Sequence, residues 1–257
     1  MIETLSELSP LTEALLWQGL TIFFRLSAMV SLLPAFGSQI IPTRIKLGVA
    51  ISFTLIVAPA VAATPPSVTL DAIIWLSFTE ITIGLLLGIG IRIFILMLQT
   101  AGSIAAQSTS LAQVLGGAMA EPVPAMSQIF VMASLALAVM TGLHVRLAEL
   151  MILSYEILPM GRFLEGSDVA SWGADQVRRA FSLSFTLAAP FVVLSVLYNL
   201  ALGVINKAMP QLMVAFVGAP VITAGGLLIL CLATPLIVST WVEHLNNFII
   251  NPFAAVP

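Results

Sequence analysis

An all-α, integral-membrane architecture of helical hairpins with kinked helices, packed into a hetero-oligomer, is what three observations on this chain predict. Hydrophobic residues make up 60% and charged residues only 8% of its 257 positions, where about 45–50% apolar is ordinary for a water-soluble domain. Apolar stretches of roughly the 20 residues that cross a hydrocarbon core recur along the chain. Several charged residues nevertheless lie in or at the ends of those stretches, where lipid exposure would cost roughly 2.5–3.5 kcal/mol each. Those charges are expected to face protein or water, which calls for neighbouring subunits. The net charge of −3 comes without any basic stripe, so nucleic acid is excluded as a partner. The single cysteine, Cys231, excludes an internal disulfide or a Cys-rich metal site and reads as an apolar filler.

Six apolar segments follow in order: Leu15–Leu33, Ile45–Ala63, Ala72–Leu98, Gln128–Leu153, Phe181–Ile205 and Leu212–Val242. Glu3, Glu7 and Glu13 precede or enter the first, where a signal peptide would carry positive charge, so this helix is expected to stay in the mature protein. Pro34 and Pro42 bracket the first connection, and Pro59, Pro65 and Pro66 end the second segment. Pro122 and Pro124 precede the fourth, which ends at Pro159-Met160-Gly161. Pro190, Pro220 and Pro235 fall inside apolar runs and predict kinks. The last segment is expected to be two shorter helices or one bent helix. The connection Ala101–Ala125 is too polar for a lipid-facing span and too apolar for a solvated loop, so protein or an aqueous cavity should surround it. Gly161–Arg179 carries charges of both signs and should meet water. Six simple spans would put Arg44, Lys46 and Lys207 on one side and Arg162, Arg178 and Arg179 on the other, without the usual positive-inside bias. Hairpins that do not all span the membrane resolve that conflict.

Glu80, Gly84, Gly88 and Arg92 recur every four residues and form one slowly winding helical stripe. Gly84 and Gly88 make a GxxxG pair, which lets a neighbouring backbone approach. Two readings stay open: plain helix packing with charges paired to neighbours, or a polar seam facing a channel. Arg25 belongs with these interior charges. Arg146 and Glu149 are three apart and are expected to pair on one helix face; with His144 they also admit a proton relay.

No hydrolytic, phosphate-binding or zinc-protease motif occurs, so neither an enzyme nor a cofactor is expected. Ser103, Ser108 and Ser110 read as small polar interface residues. Met119, flexible and polarizable, suits either core filling or a deformable seal.

Two stretches are specific. Pro34-Ala-Phe-Gly-Ser-Gln-Ile-Ile-Pro-Thr-Arg-Ile-Lys46 follows the first segment, and Leu200-Ala-Leu-Gly-Val-Ile-Asn-Lys-Ala-Met-Pro-Gln-Leu212 joins the last two. With Gly84 to Arg92, Gly102-Ser-Ile-Ala-Ala-Gln107, Gly142 with His144, and Ser154-Tyr-Glu-Ile-Leu-Pro-Met-Gly161, they make the chain resemble the FliR family of flagellar export-gate subunits, related to the T subunit of injectisomes. The family often has Asp-Pro where Glu121-Pro122 stands here, a Gly-His-His pattern where Gly142-Leu143-His144 stands, and a polar residue where Met213 stands.

The resemblance implies a subunit of the flagellar type III protein export gate in the bacterial inner membrane, within the flagellar basal body. Its implied companions are FliP, FliQ and FlhB type subunits, with unfolded flagellar proteins as cargo and membrane lipid around it. It implies a FliP-like part over about residues 1–175 and a FliQ-like hairpin over about 176–257. The connection after the third segment would lie toward the lumen and help plug the closed gate, with Gln107, Ser110, Leu111, Met119 and Glu121 as gate-loop candidates. Pro34, Gly37 and Pro42 would set one sharp turn, and Gly203, Pro210 and Gly218 another. Asn206 and Gln211 would bond backbone groups freed at that turn, while Arg44, Lys46 and Lys207 would anchor helix ends. An injectisome gate subunit and a stand-alone multi-pass transporter are the alternative readings.

Overall fold

The computed structural model describes residues 2–34, 36–37, 41–61, 70–109, 125–162, 164–209 and 214–253. It contains seven helices and, among the described residues, no strand: α1 (Ile2–Leu32), α2 (Thr43–Val57), α3 (Leu70–Thr109), α4 (Ala125–Met140), α5 (Leu143–Ile157), α6 (Gly166–Ala208) and α7 (Val214–Ile250). By length and composition, α1, α3, α6 and α7 can each cross a membrane, and α4 with α5 makes a fifth candidate as one broken span. This is an all-α membrane protein. At 15 residues, α2 falls short of the roughly 20 that a span requires.

Three expectations are revised by the helix boundaries. The fourth apolar segment is two helices, because Gly142 takes a left-handed conformation (φ 86°) between them. That conformation ends a helix and suits glycine. Residues 101–109 belong to α3, not to a connection. Alanines favour the helix there, and Ser108 and Thr109 donate their hydroxyls back to the carbonyl of Ala105, at 2.8 and 3.0 Å. Most of Gly161–Arg179 is also helical, as the start of α6, with Asp168 in its first turn and an Asp175–Arg178 ion pair of 2.9 Å on its surface. Of the two forms expected for the last segment, two shorter helices or one bent helix, the first does not occur: α7 is one continuous helix through Pro220 and Pro235.

The chain forms two compact units. The first comprises residues 1–92, 142–173 and 246–257. In it α2 packs on α1 and α5, and the Gln18 amide donates to the carbonyls of Val61 (2.6 Å) and Ala58 (3.2 Å), which caps the end of α2. Its apolar core includes Ile22, Leu26, Met29, Leu87 and Leu150. The Trp172 indole N–H donates to the Pro252 carbonyl at 2.8 Å and holds the C-terminal turn against the start of α6.

The second unit comprises residues 93–141 and 174–245. Trp241 is fully buried; its indole N–H donates to the Phe94 carbonyl at 2.8 Å while the two rings meet edge to face. Phe130 of α4 packs edge to face on Phe191 of α6. The Ser184 hydroxyl donates to the Met97 carbonyl at 3.0 Å, and the Tyr198 hydroxyl to the Gly218 carbonyl at 2.6 Å.

Candidate functional site: a buried ion pair and the stem of the central connection

Arg25 and Glu80 meet inside the first unit at 1% and 0% exposure. Arg25 Nε donates to Glu80 Oε2 at 2.7 Å and Nη2 to Oε1 at 3.1 Å, a bidentate fork. The remaining guanidinium hydrogens go to the end of α5. Nη1 donates to the carbonyl and hydroxyl oxygens of Ser154 at 3.0 and 3.1 Å, and Nη2 donates to the Leu158 carbonyl at 2.9 Å. An arginine has five N–H donors, and here each has an acceptor. The Tyr155 ring covers the guanidinium carbon at 3.7 Å, and the Tyr155 hydroxyl and Gly161 N–H both approach the Glu80 carboxylate at 3.4 Å. The arrangement ties α1, α3 and the α5 terminus at one point. Among the described residues, the arginine's hydrogens go to Glu80, Ser154 and Leu158.

Glycines let the helices come close enough. A Cβ on Gly84 would fall on the Arg25 carbonyl oxygen, and one on Gly88 would stand 3.0 Å from Leu32 Cβ and 3.1 Å from the Met29 carbonyl. The pair therefore forms the α1–α3 contact surface.

The expected stripe does not hold along its full length. Glu80, Gly84 and Gly88 are buried, but Arg92 is exposed. Each four-residue step overshoots the 3.6-residue turn by about 40°, so Arg92 lies about 120° around the helix from Glu80. Arg146 and Glu149 also depart from expectation: Arg146 is half-buried, Glu149 and His144 are exposed, and no ion pair joins Arg146 to Glu149. The same three-residue spacing carries the Asp175–Arg178 ion pair, so spacing permits such a pair without fixing it.

The turn residues divide. Gly37 donates its N–H to the Leu33 carbonyl at 2.6 Å, and a Cβ there would lie 2.8 Å from the Ser31 carbonyl oxygen, so a glycine is needed where α1 ends beside Pro34. Pro42 stands just before α2, with Arg44 exposed in its first turn. Gly203, Asn206 and Lys207 are exposed on the last turns of α6, and Gly203 lies inside that helix with nothing within 4 Å of a Cβ. Gly218 sits within α7 and serves a close approach: a Cβ would stand 2.9 Å from the Tyr198 hydroxyl. Neither Gly203 nor Gly218 makes a turn. Pro210 and Gln211 lie outside the described residues.

Of the gate-loop candidates, Gln107 is exposed near the end of α3; Ser110, Leu111, Met119 and Glu121 lie outside the described residues. The stem of their connection is well defined. Gly102 is pressed against the Ser127 backbone, and the Ser127 hydroxyl donates to the Gln99 carbonyl at 2.8 Å and lies 3.3 Å from the Ser103 hydroxyl. Thr109, the last residue of α3, abuts Gly226 of α7, where a Cβ would lie 2.8 Å from Thr109 Cγ2. Gly102→Val is expected to lower the stability of the solubilised chain by about 1–3 kcal/mol, as overpacking does. Thermal unfolding checks this against Gly203→Ala, which meets no neighbour and is expected to change little.

Sequence comparison agrees with this architecture. The profile of the family described as "Bacterial export proteins, family 1" matches residues 16–248. The chain belongs to this family. It is similar to the flagellar biosynthetic protein FliR of Caulobacter vibrioides, at 34% identity over 232 residues, covering 89% of this chain and 92% of that protein. The Escherichia coli FliR is 30% identical over 238 residues, covering 90% of this chain and 89% of its own length. The Bacillus subtilis FliR is 26% identical over 243 residues, covering 90% and 93%. As a FliR-family member, the chain is a flagellar biosynthetic protein of the export apparatus. Within that family sequence, Ser154, Tyr155, Leu158 and Gly161 are the residues that motif reading placed in no site. Their signal was a polar run at a helix end, beside a buried cation that needed acceptors.

Proposed function

We propose that this FliR-family chain is a structural and gating subunit of the type III export gate in the bacterial inner membrane, at the flagellar basal body. It assembles with FliP, FliQ and FlhB type subunits around a passage for unfolded flagellar proteins. It needs no catalysis of its own. The observation that carries the reading is the family match from residue 16 to residue 248. Its surface supports it: Leu55, Phe181, Leu200, Leu228 and Leu236 are among many large apolar side chains left exposed, as membrane and subunit contacts require.

In this reading residues up to about 175 correspond to a FliP-like part and those from about 176 to a FliQ-like hairpin. Arg25, Glu80, Gly84 and Gly88 hold the first unit rigid. Residues Gln107, Ser110, Leu111, Met119 and Glu121 belong to the plug, supported on the α3–α4 stem at Gly102 and Ser127. Arg44 and Lys207, exposed at helix ends, meet lipid phosphates or companion subunits.

Deleting residues 110–119 from the chain in its native complex is expected to leave assembly intact and make the resting membrane leak ions and small solutes. Conductance of membranes holding the purified complex measures this. A complex that assembles and stays tight removes the plug role.

A further inference from the structure

The helix registers of the first unit bring four cations to one level. α1 and α3 run parallel, since Gly84 meets Arg25 and Gly88 meets Met29 and Leu32. α2 runs against α1, with Ala58 and Val61 beside Gln18. α5 also runs against α1, with Ser154 and Leu158 on Arg25 and Met160 on Thr21. Arg92 follows Gly84 by eight residues, and Arg146 precedes Ser154 by eight. Both therefore lie about 12 Å beyond Arg25, toward the end of α1. Lys46 and Arg44 precede Ala58 by twelve and fourteen residues, while Arg25 follows Gln18 by seven. That places them about 8 and 11 Å beyond Arg25 in the same direction.

Arg44 and Arg92 are exposed, and Lys46 and Arg146 are half-buried. Among the described residues, no ion pair engages any of the four. Two exposed carboxylates approach the same level: Glu149 on α5, and Asp168, one turn before Trp172 at Gly90. Positive charge stays in excess. Apolar side chains stand exposed directly beside the cations: Ile45 and Leu47 on α2, Ile89 on α3 and Val145 on α5. The length of α3 gives this level a meaning. Its apolar span Asp71–Thr109 has 39 residues and is about 58 Å long, nearly twice a hydrocarbon core of about 30 Å. A membrane surface must therefore cross α3 somewhere along its length, and Arg92 is the exposed charge of its middle.

We infer that this level lies at one membrane surface and that Arg44, Lys46, Arg92 and Arg146 hold the head groups of anionic phospholipids there. A bilayer surface meets every helix at the same depth, so it calls for cations at one level on several helices. A protein partner calls for them gathered on one face. A phospholipid also carries its phosphate directly over apolar chains, which is the pairing that α2, α3 and α5 present. The inference extends the anchoring role proposed for Arg44; it rests on the chain's being a membrane protein and not on the gate.

The test uses the full chain purified in detergent with its export-apparatus companions. It is titrated with short-chain phosphatidylglycerol, with phosphatidylcholine of the same chains and with inorganic phosphate, and native mass spectrometry counts the adducts on the chain. Phosphatidylglycerol is expected to bind about tenfold or more tightly than phosphatidylcholine. Arg44→Gln, Arg92→Gln and Arg146→Gln should each weaken it about fivefold and leave phosphatidylcholine unchanged. The corresponding Lys variants should keep most of the preference. Arg162→Gln should keep all of it, because Arg162 follows Gly161 at Glu80, on the other side of Arg25. Melting in lipid-free detergent should not change, since none of the four makes an ion pair among the described residues.

Equal binding of the two lipids would overturn the proposal, as would Gln variants that keep the preference for phosphatidylglycerol. Inorganic phosphate binding as tightly as the lipid would reduce the level to a free-anion site and overturn it too. So would Gln variants that lose a companion subunit while the unaltered complex binds no phosphatidylglycerol, the result expected if the cations met an acidic protein. If the chain purifies without companions and still selects phosphatidylglycerol, the gate reading fails and the lipid site stands. If the complex forms and shows no lipid preference, the lipid site fails and the gate reading stands.

Discussion

Arg25→Leu in the full chain is expected to destabilise the fold by about 3–5 kcal/mol, because it strands the Glu80 carboxylate in the interior. Glu80 is 0% exposed, and after the loss of Arg25 its hydrogen-bond partners among the described residues are the Tyr155 hydroxyl and the Gly161 N–H, both at 3.4 Å. Glu80→Leu should be of similar severity, since it leaves a guanidinium with acceptors for three of its hydrogens and no countercharge. The double variant Arg25→Leu/Glu80→Leu should recover part of the loss, as apolar replacement of a whole buried pair is often tolerated. Thermal unfolding of the detergent-solubilised protein gives the three values, and the double-mutant cycle isolates the coupling. Single variants as stable as the unaltered chain would show that the pair does not hold α1, α3 and α5 together.

Gly84→Ala should be nearly as damaging, even though only one carbon is added. That carbon would fall on the Arg25 carbonyl oxygen, a backbone atom that moves only if α1 moves. Displacing α1 also disturbs the fork to Glu80. Gly88→Ala should cost less, since its nearest neighbours stand at 3.0 and 3.1 Å and one of them is a side chain. Gly48→Ala on exposed α2 meets nothing within 4 Å and should be neutral or stabilising by up to about 1 kcal/mol, the helix-propensity gain. The order Gly84, Gly88, Gly48 in unfolding temperature is the measurement. Equal effects at all three positions would indicate a propensity effect and no helix contact.

Much of this was legible in the residues, and the failures share a cause. The charges flanked by apolar runs pointed to Arg25 and Glu80 as interior groups, and the GxxxG spacing pointed to a close helix contact through Gly84 and Gly88. Their actual partners were not legible. Arg25 finds Glu80 at a separation of 55 residues and Ser154 at 129, whereas spacing along one helix sees only three or four positions away. The same local logic joined Arg146 to Glu149, which do not pair, and carried the stripe on to Arg92, which the helical overshoot turns outward. Gly142 was hidden because both flanks are apolar, so periodicity runs through the break. Conversely, Gly203 and Gly218 looked like turn residues because glycine usually marks turns; one lies in an exposed helix and the other makes room for Tyr198. At the central connection, the sequence indicated an unusual environment but not that α3 extends into it as far as Thr109.

The arginine fork also imposes an order on biogenesis. Its last acceptor, the Leu158 carbonyl, lies 133 residues after Arg25. At about 5–20 residues per second of synthesis, the cation is made roughly 7–27 s before the set that satisfies it is complete. For about the first 3–11 s of that interval, until Glu80 follows 55 residues on, the nascent first helix carries an unpaired charge, and for the rest its fork waits for the α5 acceptors.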